Sequence, residues 1–234
     1  MGEITKTLPK PMVEVHGKPI LQHIIDGLRE AAGIKEFFLV IGHRGEVIQE
    51  YFGDGSSRGL HISYGRQAVQ DGTGRAPEVA REWLGEASFV LSYGDILMGA
   101  AEYQGMVKAA DADAVISVKA VEDLSHGGAV IFDDDFYLTD IIEKGASTNA
   151  KTRWLNAGVY LFPPRLFEFT LKLEKSPRGE YELTDALKAM AAGGMKICGY
   201  KIEREWVDVR DPVILKQLNE PSPAPVPSPS PSAG

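Results

Sequence analysis

Ser88-Phe89-Val90-Leu91-Ser92-Tyr93-Gly94-Asp95 is a short apolar run that stops on a glycine and an aspartate. Such a run, apolar at almost every position, reads as a strand covered on both faces, the kind found in parallel sheets. Phe37-Phe38-Leu39-Val40-Ile41 has the same character, and residues 60–64 and 114–118 repeat it. Between these strands lie helical segments. Residues 19–32 carry apolar side chains at helical spacing, open on Pro19 and stop before Gly33. Residues 45–52, 76–84 and 99–110 also suit helices. The alternation predicts an α/β fold, a doubly wound and mostly parallel sheet with helices on both faces. Residues 130–162 hold more strands and fewer helices, which predicts a β-rich ligand-binding insertion.

In such a sheet, ligands bind beyond the carboxyl ends of the strands, so chemistry is expected just after the apolar runs. Asp95 stands there. One or two such carboxylates suffice for a hard cation that also binds phosphates, although a Gly-Asp pair is equally a common turn. Asp208, in Trp206-Val207-Asp208-Val209, is an acid between valines that needs a partner, a cap or a metal. The stretch 67–76, Gln-Ala-Val-Gln-Asp-Gly-Thr-Gly-Arg-Ala, follows a strand and enters a helix, where free backbone N–H groups can face a ligand. Gln67 has both donor and acceptors for a base edge, and glycines such as Gly72 allow close approach. The five histidines have no metal-ligand spacing, and Asp133-Asp134-Asp135 reads as a hairpin turn.

Composition narrows the partners. The 234 residues carry a formal net charge of −8 and no basic cluster, which argues against nucleic acid. No apolar stretch nears the ~18 residues of a membrane span. The single cysteine, Cys198, forbids an intrachain disulfide, and a cytoplasmic location is expected. Residues 220–234, rich in proline and serine, are expected to form a disordered tail.

Taken in order, the segments resemble the sugar-1-phosphate nucleotidylyltransferases. Thr7-Leu8-Pro9-Lys10-Pro11 is similar to the family's lysine-bearing segment, and Gly17-Lys18-Pro19 to its helix start. Residues 67–76 resemble its base-binding segment, Gly94-Asp95 its metal-binding pair, and Glu143-Lys144 its sugar-phosphate segment. Asn156-Ala157-Gly158-Val159-Tyr160 is similar to its sugar-binding strand, residues 179–185 to its Gly-Glu-x-x-Leu-Thr-Asp segment, and Trp206-Val207-Asp208 to its second metal carboxylate.

The resemblance implies a domain over residues 1–219 that joins a nucleoside triphosphate to a sugar 1-phosphate and releases pyrophosphate. It implies Mg²⁺ held by Asp95 and Asp208, with Lys10 as a further catalytic residue. Gln67, Gly72 and Thr73 would bind the nucleotide, favouring UTP or dTTP, and Gly128, Glu143, Lys144 and Asn156 the sugar phosphate. Self-association into a homo-oligomer is allowed. The family's opening apolar strand and Gly-x-Gly-Thr-Arg loop have no counterpart before Lys10. Gly145 replaces a proline, Gly127-Gly128-Ala129 a Tyr-Gly-Val, and Arg210 a glycine. A catalytically inactive, nucleotide-sugar-sensing homologue is the alternative reading.

Overall fold

The structure, a computed structural model, describes residues 8–109, 112–145, 147 and 150–220. The expected tail beyond residue 220 lies outside the described residues. After a 3₁₀ turn at Lys10–Met12, a short ribbon of β1 (Glu14–Val15) and β2 (Lys18–Pro19) leads into helix α1 (Ile20–Ala32). Then come β3 (Glu36–Ile41), α2 (Gly45–Phe52), β4 (His61–Arg66), a 3₁₀ turn (Ala76–Ala80) running into α3 (Arg81–Leu84), β5 (Phe89–Ser92) and β6 (Ile96–Met98). The second half holds α4 (Ala100–Lys108), β7 (Ala114–Ala120), β8 (Ala129–Phe132), β9 (Leu138–Ile142) and β10 (Trp154–Phe162). It ends with α5 (Phe167–Thr170), α6 (Leu183–Ala192), β11 (Ile197–Lys201), β12 (Trp206–Asp208) and α7 (Pro212–Asn219).

α1 forms where the sequence predicted it. Ile20, Leu21, Ile24, Ile25 and Leu28 share one stripe and are buried. The helix ends at Gly33 in the left-handed region, whose N–H closes on Arg29 O at 2.9 Å. Each fully buried aliphatic side chain of this kind contributes ~1.5–3 kcal/mol, so the stripe docks the helix on the sheet without help from its caps.

β3 and β4 pair in parallel, residue 36 opposite 61 through 41 opposite 66. A second sheet of six strands is ordered β11-β7-β10-β8-β9, with β5 also on β10. β11 is parallel to β7, while β10 is antiparallel to both β7 and β5. β5, β7 and β11 therefore share a direction, and β10 alone among them reverses it. The β-rich stretch is not set apart: β8 and β9 are joined to the main sheet through the first half of β10. β10 bulges between Asn156 and Tyr160, where its pairing shifts register. The Asp133-Asp134-Asp135 run is the β8–β9 turn, with Asp133 Oδ1 accepting from the N–H of Asp135 and Tyr137.

Among the described residues β3 pairs with β4 and β5 with β10, and a cavity of about 700 Å³ lies between β3 and β5.

Candidate functional site

The two aspartates meet because of one small ribbon. β12 pairs antiparallel with β6, setting Asp208 opposite Ile96, and the N–H of Val209 donates to Asp95 O at 3.0 Å. Residues 113 apart in sequence thus become neighbours at the carboxyl end of β5. Gly94 is needed at this turn because Pro11 lies over it: a Cβ there would stand 2.9 Å from Pro11 Cγ. The same close approach brings Lys10 in, and its Nζ lies 2.5 Å from Asp95 Oδ2. Arg210, which replaces the expected glycine, puts Nη1 4.0 Å from Asp208 Oδ2.

Electrostatics record the crowding. Burial, and then the charge of Asp95, push the Asp208 carboxyl above the ordinary aspartate range, while Lys10, Arg210 and Lys144 pull it back. Two hard-oxygen donors that repel one another, with no third ligand to make a cage among the described residues, fit a Mg²⁺ that takes its remaining ligands from phosphates and water.

A pocket of about 220 Å³ opens beside this pair. Thr73, Asp95, Gly128, Glu143, Lys144, Asn156 and Asp208 all line it, so seven of the ten residues singled out in the sequence converge. The β10 bulge sets Asn156, whose Oδ1 accepts from the Gly158 N–H at 3.2 Å and from the Tyr160 hydroxyl at 2.9 Å. Glu143 accepts a hydrogen bond from Thr184 Oγ1. Lys10 joins through Asp95.

Gln67 and Gly72 lie apart from the pocket. The Gln67 amide donates to Gly72 O at 3.2 Å, and Gln67 lines the cavity between β3 and β5 instead. Residues 71–74 are stitched to the segment before α6. Tyr181 N–H donates to Asp71 O, Gly74 N–H to Tyr181 O, both at 2.7 Å, and Leu183 N–H to Thr73 Oγ1 at 3.2 Å.

The sequence reading missed Arg178 and Glu182, both of which line the pocket. Arg178 Nη2 lies 3.0 Å from Glu182 Oε1 and 3.2 Å from Glu180 Oε2. Glu182 is the buried acid of that segment, and burial raises its pKa. Glu180 pairs with exposed Arg178, and Asp185, in the first turn of α6, pairs with Lys188. The signal was alternation: in an extended stretch Glu180 and Glu182 share a face, and only depth in the fold separates them.

A parallel-rich α/β sheet carrying convergent carboxylates, lysines and a polar pocket at its strand ends defines a Rossmann-like nucleotide-sugar transferase fold. A UDP-glucose pyrophosphorylase solved with UDP-glucose has that fold, with a TM-score of 0.83 and 21% identity over 94% of this chain and 92% of its own. The chain belongs to the nucleotidyl transferase family, whose model matches residues 1–217. The low-salt glycan biosynthesis nucleotidyltransferase Agl11 of Haloferax volcanii is 34% identical over 93% of this chain. UTP–glucose-1-phosphate uridylyltransferase AglF of the same organism is 30% identical over 89% of it. This chain spans 61% of the length of Agl11 and 86% of that of AglF. Among the described residues, no helix is long and apolar enough to cross a membrane.

Proposed function

We propose that this chain transfers a nucleotidyl group from a nucleoside triphosphate to a sugar 1-phosphate, in the cytoplasm, with Mg²⁺ held by Asp95 and Asp208. The observation that carries this is the meeting of the two carboxylates across the β6–β12 ribbon, at the mouth of a pocket lined by Glu143, Lys144, Asn156 and Arg178. Bound there, Mg²⁺ supplies charge neutralisation at the α-phosphate and the departing pyrophosphate.

The residues of the chain do the rest by placement. A sugar-phosphate oxygen, already ionised at neutral pH, forms the new bond to the α-phosphorus as the bond to the pyrophosphate oxygen breaks. No general base is needed. Lys144 and Arg178 are placed to hold the sugar phosphate, Lys144 as a point charge and Arg178 as a fork. Lys10, now paired with Asp95, adds positive charge on the triphosphate side. Asn156 and Glu143, fixed by Tyr160 and Thr184, offer an amide and a carboxylate to sugar hydroxyls.

The similarity to AglF supports UTP, and the resemblance of residues 67–76 to a uracil- and thymine-reading segment supports UTP or dTTP. Pyrophosphate release from UTP, dTTP, ATP and GTP, each with a panel of hexose 1-phosphates, tests this. Release with a pyrimidine triphosphate at least ~10-fold above the purines is expected, the gap that one unpaired buried group produces. Preference for ATP or GTP contradicts the base assignment, and no release with any pair contradicts the activity.

A further inference from the structure

Asp208 reaches Asp95 on a slender support. β6 and β12 are three residues each and pair only with one another among the described residues, and an isolated two-stranded ribbon is marginal in water. The chain enters β12 through residues 202–205, which form neither helix nor strand. Each of the four carbonyls of this loop nonetheless has a partner. The Nζ of half-buried Lys119, near the end of β7, donates to Ile202 O at 3.1 Å, to Glu203 O at 3.3 Å and to Arg204 O at 3.1 Å. The Gly99 N–H donates to Glu205 O at 3.0 Å.

Three carbonyl oxygens aimed at one point repel each other unless a cation sits there. An ammonium has three donors and no acceptor, so Lys119 matches the set. The amide side of the loop is held by α4. Glu102, 4% exposed, accepts from the Arg204 N–H on Oε1 at 2.6 Å and from the Tyr200 hydroxyl on Oε2 at 2.8 Å. Gly105, further along α4, makes room for that hydroxyl, because a Cβ there would overlap it. Burial, and then the hydrogen bond to Glu102, push the Tyr200 hydroxyl up to about 12, which keeps it a donor. Neither Glu102 nor Lys119 lines the pocket beside the two aspartates.

We propose that Lys119 and Glu102 are positioning residues for the metal pair: a cation and a carboxylate that clamp residues 202–205 and so fix Asp208 against Asp95. This rests on the reading of Asp95 and Asp208 as Mg²⁺ ligands. A shift of the loop passes straight to Asp208, because Glu205 alone separates Arg204 from the three residues of β12. Beyond it, the Val209 N–H bonded to Asp95 O reports the approach of the two acids without any metal. Trp206, tied through Nε1 to Ala157 O at 2.9 Å, lines the pocket with Asp208 and serves as an optical probe there.

Two measurements on the whole chain decide it: hydrogen exchange without metal, and the luminescence of added Tb³⁺, a hard cation, excited through Trp206. In Lys119→Met the Gly99 and Val209 amides should exchange about tenfold faster, the scale of one lost hydrogen bond to a charged group, while those of α1 keep their rates. The Tb³⁺ concentration for half-saturation should rise about tenfold. Glu102→Met should do the same. Glu102→Gln, which keeps an acceptor for the Arg204 N–H and a polar partner for Tyr200, should restore most of both. The proposal is overturned if Lys119→Met leaves Gly99 and Val209 exchange unchanged, or leaves Tb³⁺ half-saturation unchanged. Faster exchange throughout, α1 included, also overturns it, because the pair is then a general stabiliser. A parent Tb³⁺ signal that survives Asp208→Asn overturns the metal assignment itself, and the proposal with it.

Discussion

At Asp208, the proposed metal-binding role and stability pull in opposite directions. Its carboxyl is raised by burial and by Asp95, so the folded state holds its proton more tightly than the unfolded chain does. The sign follows. A raised carboxyl stabilises the fold below the ordinary aspartate pKa of ~3.9, and that contribution is lost as pH rises through the raised value. Asp208→Asn should therefore melt at a higher temperature than the parent chain at pH 7 in chelator, with the difference closing below about pH 4. A lower melting temperature at pH 7 would show that the charge is compensated. Glu182 makes the second residue-scale case, because its carboxylate holds Arg178 at 3.0 Å. Glu182→Gln should raise the KM for sugar 1-phosphate about tenfold, a cost of ~1.4 kcal/mol, and leave the KM for the triphosphate unchanged. An equal rise in both would make Glu182 a general structural residue.

Among the elements, the loop of residues 71–74 shows what a sequence can and cannot disclose. The glycines there were legible as a place where backbone must approach something closely. In the structure the backbone that comes close is that of Tyr181. Gly72 has φ of +122°, and a Cβ on it would stand 2.2 Å from Tyr181 O. Gly72→Ala should cost at least ~1–3 kcal/mol, the scale of one forbidden backbone conformation. That is a fall of ~2–4 °C in Tm per kcal/mol for a chain of this size. It should also weaken sugar-phosphate binding, because the displaced Tyr181–Leu183 segment carries Glu182. An unchanged Tm contradicts this account of the loop. Gln67 taught the same lesson, since its amide could be foreseen as a hydrogen-bonding group but not that it turns onto Gly72 O. Strands β3, β4, β5 and β7 and helices α1, α2 and α4 follow from local pattern alone. The β10 bulge and the β6–β12 ribbon do not, because register between distant strands leaves no periodic trace.

For the molecule as a whole, the alternation of apolar runs and amphipathic helices made the α/β class readable, and the strand-end rule located Asp95. Asp208 was readable only as an acid in an uncomfortable setting, and its meeting with Asp95 is a product of the full topology. Arg178 and Glu182 escaped because a charged pair on an irregular segment looks like surface until the fold covers one of its members. The central claim is that Asp95 and Asp208 act on a single Mg²⁺ as one unit. It is tested most directly by a double-mutant cycle in pyrophosphate release, with Asp95→Asn, Asp208→Asn and the double variant at saturating Mg²⁺. Each single change should lower kcat by ~10²–10³, the loss seen when one preorganised electrostatic contact is removed, and the double change should cost no more than the worse single one. Losses that multiply, or a single variant that keeps near-parental turnover, would contradict the claim.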